Sequence, residues 1–173
     1  MGGSIIKISK QFTFEASHQL VGHEGKCANL HGHSYKLEVI LEGALTTQGS
    51  SEGMVVDFSH VKERVKPLLD FIDHSFIAQG NEPFTVDTKV TKLGVRTTAE
   101  HLSLFFLFYL KSLCNLPVIN VRLWETATSY AEASLDDLTK YSDLKDKFMK
   151  VKFSEYDTDI DIFDIYNIKE EDQ

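Results

Sequence analysis

Three histidines at two spacings set out the chemistry open to this chain. His31-Gly32-His33 puts two imidazoles on one face if the segment is extended, because side chains alternate along a strand. Gly32 removes bulk between them. His18 lies thirteen residues before His31, at the end of a preceding strand-like run, where the intervening loop can bring it alongside. Four of the seven histidines fall between residues 18 and 33, a crowding that separates this His-x-His from a chance surface pair. Three imidazoles leave one tetrahedral position open, as catalytic zinc sites do. Neutral imidazole suits zinc, and it also accepts copper, nickel or iron.

Cys27 stands four positions before His31. As a fourth ligand it would close the site, and because Cys/His sets are often structural the bare sequence leans that way. The other reading is a nucleophile or base beside an open site, where metal and imidazoles favour the thiolate. Asp73-His74 follows a helical segment. If the two side chains touch, the acid orients the ring and tunes its proton transfer; taken alone, they read as a helix-end acid and a solvated histidine. Glu125 falls on the apolar face of an apolar strand, where a carboxylate needs donors. The amino-pyrimidine edge of a guanine or pterin offers a pair of them; an edge-strand position facing water is the plainer reading. Thr97 and Glu100 have capping-box spacing, so Glu100 reads first as a cap. His23, His60 and His101 carry no functional reading. Asp157, Asp159 and Asp161 imitate the opening of a calcium loop, but Ile162 and Ile168 stand where glycine and glutamate are required.

The elements that must position these groups follow from periodicity. Residues 5–16 alternate as a strand, 17–30 form a loop rich in turn residues, and His33 to Leu41 alternates again. Gly43 to Gly53 is a turn-rich connection. Val61, Val65, Leu68 and Leu69 have helical spacing within a helix near Ser59 to Asp70. Residues 79–96 read as a long loop or small hairpin. A second helix begins near Thr97, runs through Leu113 and is apolar on nearly every side, which implies deep burial. Val118 to Thr126 is a strand with Ile119, Val121, Leu123 and Glu125 on one face. Residues 134–150 read as helical and polar. Strands, helix, helix and strand in that order indicate an α+β domain.

The chain has 173 residues, 42% hydrophobic and 25% charged, which suits one soluble domain with a real core. Of the net charge of −8, residues 151–173 contribute −6 (eight acids against Lys152 and Lys169), leaving −2 for residues 1–150. No basic patch points to nucleic acid. No apolar run of about 18 residues points to a membrane span, and no secretory leader follows Met1. Cys27 and Cys114 do not form a disulfide framework, which places the protein in a reducing, cytoplasmic setting.

Taken in order, Phe14-Glu15-Ala16-Ser17-His18, Gly25-Lys26-Cys27, Leu30-His31-Gly32-His33-Ser34-Tyr35, Asp57-Phe58, Ile72-Asp73-His74, Thr98-Ala99-Glu100 and Trp124-Glu125-Thr126 resemble the 6-pyruvoyl-tetrahydropterin synthase family. The resemblance spans roughly residues 5–130. It implies the tunnelling fold: an antiparallel four-stranded sheet with two helices, assembled through trimers and usually into hexamers. It implies zinc on His18, His31 and His33, and Cys27 as a catalytic thiol rather than a ligand. Asp73 and His74 become its proton-transfer partners. Glu125 becomes the anchor of the pterin ring, with Glu100 and Thr98 near it. Such sites lie between subunits, so these residues need not share a chain. On this reading residues 1–133 form the catalytic domain and 134–173 an acidic C-terminal extension, either an added strand at Ile160 and Ile162 or a disordered tail.

The spacing Cys-x3-His-Gly-His resembles the branch that makes 6-carboxy-5,6,7,8-tetrahydropterin, a queuosine precursor, from 7,8-dihydroneopterin triphosphate, with acetaldehyde and triphosphate released. The pyruvoyl-forming branch has a longer gap. A third branch uses a glutamate near this point, and Ala28 and Asn29 offer none. The alternatives are a pyruvoyl-forming synthase with a shortened loop and a non-catalytic pterin- or purine-binding protein with structural zinc. A zinc deaminase is set aside because its Pro-Cys-x-x-Cys element is absent.

Overall fold

Alternating burial organises two long strands. β1 (Ile5–His18) and β2 (His31–Ala44) pair antiparallel along their whole length, from Ile5 opposite Ala44 to His18 opposite His31. The structure, a computed structural model, describes residues 5–155 and 158–167. Phe14, Ala16 and His18 on β1, and Tyr35, Leu37, Val39 and Leu41 on β2, point to one face and are buried there. β5 (Val118–Thr126) lies on the free side of β2, and β6 (Ser129–Ser134) pairs with β5 at the edge.

The expected four-stranded antiparallel sheet is only half of the sheet observed. Beyond β1 run β3 (Ser75–Ala78), β4 (Val90–Lys92), β7 (Lys152–Glu155) and β8 (Thr158–Asp161), giving the order β6-β5-β2-β1-β3-β4-β7-β8. β3 is parallel to β1 and β4 parallel to β3, so the sheet is mixed. The physical reason is edge satisfaction: Ala16 to His18 leave backbone groups open on the side away from β2, and short extended segments cap them in turn. The reading of 79–96 as a loop or hairpin is corrected likewise, since β4 pairs with β3 and β7 rather than with its own neighbours. The α+β class stands.

Two helices cover the inner face. α1 (Phe58–Ile72) starts at Asp57, whose carboxylate accepts the Ser59 amide at 2.7 Å, and buries Val61, Val65, Leu68, Leu69 and Ile72. α2 (Ala99–Phe108) continues as a wider π turn over Tyr109–Leu113. Its cap is Thr98, which accepts the His101 amide at 3.4 Å, and not Thr97. Thr97 is fully buried, with its carbonyl used elsewhere.

α2 is apolar all round because it is covered on both flanks. Phe106 meets Phe14 of the sheet at 5.6 Å between ring centres. On the far side, α3 (Leu135–Lys140) and α4 (Asp143–Phe148) pack over it, with Phe148 meeting Phe105 at 5.6 Å and Phe108 at 5.8 Å. Phe153 of β7 reaches Phe71 of α1 at 5.4 Å, and α5 (Ile162–Asn167) buries Ile162 and Ile165. Residues 134–150 are therefore two helices with a buried ridge (Leu138, Leu144, Phe148), not a uniformly polar stretch. Ile160 lies in β8 and Ile162 opens α5; Asp157 and the acidic residues after 167 lie outside the described residues. Among the described residues no helix is long and apolar enough to cross a membrane.

Candidate metal centre and adjoining cleft

The strand register brings the three histidines together. His18 sits opposite His31 at the shared end of β1 and β2, and His33 pairs with Ala16, so all three rings project to the inner face. One donor atom from each lies within 4.8 Å of the others, and ring centres stand 4.6–5.2 Å apart. Gly32 allows this: a Cβ there would meet the Ala16 carbonyl at 3.2 Å.

Two of the rings are fixed by backbone carbonyls. His18 Nδ1 donates to the Thr97 carbonyl at 2.7 Å, and His31 Nδ1 to the Asn29 carbonyl at 2.7 Å. A carbonyl can only accept, so in each neutral ring the proton is on Nδ1 and the lone pair on Nε2. The two Nε2 atoms face each other at 3.1 Å. Two bare lone pairs at that distance are stabilised by a shared cation, and carbonyl-oriented imidazoles are the usual supporting shell of a metal site. His33 Nε2 is buried and lacks a hydrogen-bond partner. Burial holds His18 and His33 below the ordinary imidazole range, outweighing the nearby Glu125 carboxylate, so the neutral, ligating form is favoured. The donor set fits zinc.

Glu125 reaches the same point. Its Oε1 lies 3.4 Å from His18 Nε2, 3.8 Å from His33 Nε2 and 3.5 Å from the Tyr35 hydroxyl. Burial, then the Glu125 charge, pushes the Tyr35 hydroxyl far above its ordinary range, which keeps it protonated and able to donate. Glu125 owes its aim to the pleat: it follows Val121 and Leu123 on the inner face of β5, and the β2–β5 register continued by one residue sets it opposite Tyr35, while a bulge shifts the pairing with β6 at this point. A second bulge at Ile119 corrects the expected face of this strand, because Val118 rather than Ile119 joins Val121 and Leu123 in the core.

Glu125, Glu100 and Thr98 line one cleft of about 300 Å³, with Leu20, Ala99 and residues 129–131. All three border this one cleft, with the Thr98 hydroxyl engaged as the α2 cap and Glu100 exposed. A larger opening of about 490 Å³ runs past His33 and Glu125 to Lys36 and Trp124, where β2 and β5 stop pairing.

Asp73 and His74 do touch. His74 Nδ1 lies 3.0 Å from Asp73 Oδ2, while Asp73 Oδ1 accepts the Glu15 amide at 2.8 Å. His74 has φ 59°, the left-handed turn that swings the chain from α1 into β3 and throws the imidazole outward. Burial raises the Asp73 carboxyl, but the Glu15 amide, His74 and Lys89 together pull it below the ordinary carboxylate range. His74 opens onto a hollow of about 340 Å³ with Glu15, Ser17 and Ser34, side chains of the outer face. Cys27 lies in a single 3₁₀ turn (Lys26–Ala28) and is half-buried. Among the described residues no hydrogen bond or ion pair joins Cys27 to His74. Within one chain, then, the histidines gather with Glu125 and Tyr35, and the Asp73–His74 pair stands apart.

Tyr35, Thr97 and Asn29 were missed as contributors. Tyr35 was legible as the next inward residue after His33; the other two act through carbonyls, which leave no side-chain signature.

The family model for 6-pyruvoyl tetrahydropterin synthase matches residues 7–136. The chain is 44% identical over 138 residues to the 6-carboxy-5,6,7,8-tetrahydropterin synthase of Haemophilus influenzae, covering 74% of this chain and 98% of that protein. It is 40% identical over 158 residues to the protein of the same name from Aquifex aeolicus, covering 73% and 96%. The solved Caenorhabditis elegans 6-pyruvoyl tetrahydropterin synthase superimposes with a TM-score of 0.61 at 24% identity, covering 76% of this chain and 96% of that one. The Plasmodium vivax enzyme gives 0.59 at 21%, covering 75% and 97%. These likenesses place the fold with the tunnelling-fold synthases, and the chain belongs to the 6-pyruvoyl tetrahydropterin synthase family.

Proposed function

We propose that this protein is a zinc-dependent 6-carboxy-5,6,7,8-tetrahydropterin synthase. It converts 7,8-dihydroneopterin triphosphate to 6-carboxytetrahydropterin, acetaldehyde and triphosphate, on a route to queuosine or another deazaguanine. The observation that carries the reading is the meeting of the three imidazoles with the Glu125–Glu100–Thr98 cleft at one end of the sheet. The names of the Haemophilus influenzae and Aquifex aeolicus relatives support the product.

His18, His31 and His33 would hold zinc, which supplies Lewis acidity toward the substrate's side-chain hydroxyls and the adjoining C–H bonds. Glu125 and Glu100 accept N–H groups of the pterin ring and fix its orientation, with Thr98 at the cleft wall. Cys27 moves a proton on the substrate side chain as thiolate. Asp73, held ionised by the Glu15 amide, orients His74 through Nδ1 and leaves Nε2 free to exchange a proton. No hydrogen bond joins Asp73–His74 to Cys27 within the described residues of one chain, and on this reading a neighbouring copy supplies the pair, in a homo-oligomer built from trimers and expected as a hexamer. Cys27 and Cys114, which form no disulfide framework, suit a reducing cytoplasm.

The test is a product assay. Zinc-loaded protein is given 7,8-dihydroneopterin triphosphate, and pterins and acetaldehyde are identified by mass spectrometry. Carboxytetrahydropterin with equimolar acetaldehyde is expected. Pyruvoyl-tetrahydropterin without acetaldehyde would move the protein to the other branch. No turnover by a metal-bound, intact oligomer would favour a pterin- or purine-binding role.

A further inference from the structure

The carboxylate of Glu125 does more than line the substrate cleft. Four donors at about 2.0–2.2 Å from a tetrahedral zinc stand about 3.3–3.6 Å from one another. Glu125 Oε1 is 3.4 Å from His18 Nε2 and 3.8 Å from His33 Nε2, while His18 and His31 Nε2 are 3.1 Å apart. The oxygen thus sits at donor spacing from His18 Nε2 and about 0.2 Å beyond it from His33 Nε2. Two features hold it there. The pleat of β5 points the side chain inward, two residues beyond the buried Leu123 and beside Tyr35. The buried Tyr35 hydroxyl, 3.5 Å away, offers a proton to the same oxygen. A half-buried carboxylate gains from a cation or donors, and the His18–His33–Tyr35 corner is where this one finds them.

The same side chain also borders the cleft with Thr98 and Glu100. A carboxylate shared between a metal corner and a ligand cleft has two places to go. We infer that Glu125 is a carboxylate switch: Oε1 fills the fourth coordination position of the metal in the resting protein, and leaves it for the pterin ring when the ring enters the cleft. The inference rests on the proposed function for the identity of metal and ring. It adds that the open position is closed at rest, and that ring binding is what opens it. Substrate recognition and metal activation are then one event, and metal in the resting protein is shielded from other ligands.

Cobalt(II) in place of zinc makes the coordination visible, since its visible bands change in position and intensity with ligand number and type. Full-length protein and Glu125→Gln are each loaded with cobalt, and zinc affinity is measured by chelator competition. Unsubstituted pterin, which has the ring but no side-chain hydroxyls, is then titrated in. In the wild-type protein pterin is expected to shift the cobalt bands toward those of Glu125→Gln, and in the variant it leaves them unchanged. Glu125→Gln is expected to weaken zinc about tenfold or more, the scale on which removal of a supporting metal-site interaction acts. Identical cobalt spectra and zinc affinities for the two proteins would overturn the switch. So would pterin that binds the wild type, seen by fluorescence quenching, without moving its bands. These readouts do not depend on turnover. A protein that yields carboxytetrahydropterin yet fails the cobalt test loses only the switch; one that binds no metal loses both readings.

Discussion

Where β1 and β2 end, polar side chains are packed against polar side chains: His18, His33, Glu125 and Tyr35 share one corner. On the far flank of α2 the same protein packs hydrocarbon on hydrocarbon, with Phe148, Val151 and Phe153 all at most 1% exposed. The first region gains little from burial and leaves donor atoms unsatisfied until something binds. The second offers no chemistry but removes apolar surface from water, the largest favourable term in folding. Residues beyond the family match at 136 therefore read as a support for α2 and, through it, for Thr97, whose carbonyl fixes His18. Function and stability should separate under mutation.

The largest separation is expected at His31. His31→Ala removes one of three ligands, so bound metal should fall to a small fraction of an equivalent and turnover to background, with the apoprotein still folded by circular dichroism. Unfolding of this variant would mean that the histidine corner carries the fold, and the contrast would fail. The reverse case is Phe148→Ala. Emptying a fully buried aromatic site usually costs about 3–5 kcal/mol, so denaturant midpoint and Tm should drop sharply while metal content per folded chain is kept.

Acid should separate the regions more gently. Burial lowers the folded-state pKa of His18 and His33 below 6.5. The unfolded chain then binds more protons than the folded one, so stability is complete above about 6.5 and is lost as pH falls through the lowered values. Melting of the apoprotein between pH 7.5 and 5 should show this decline, and bound zinc should oppose it. A Tm that rises on acidification would contradict the buried, neutral state of these rings. The smallest effect is expected at Thr98. Removing a helix cap costs about 0.5–2 kcal/mol, and its 3.4 Å bond to His101 points to the low end. Thr98→Ala should shift Tm by a few degrees and leave zinc in place.

The histidine corner was legible because strand geometry has an inflexible period. His31 and His33 two apart had to share a face, and the β1–β2 register then delivered His18. Glu125 was legible as a carboxylate on the inner face of an apolar strand, but its approach to the histidines was not, because that depends on the β2–β5 register, which only the fold reveals. The apolar circumference of α2 was legible as burial, though not what buries it. The sheet was misread for a simple reason. β3, β4, β7 and β8 are three or four residues each, too short to show a period, and β4 is held by partners distant in sequence. The cap slipped from Thr97 to Thr98 because both are threonines, and only the buried Thr97 carbonyl, committed to His18, decides between them.

On the proposed mechanism three histidines hold the metal while Cys27 acts on substrate from a different element. Cys27→Ala tests it most directly, with zinc content and product formation measured on the same preparation. A full equivalent of zinc and loss of turnover are expected. Loss of the zinc together with activity would make Cys27 a fourth ligand and the site a closed, structural one.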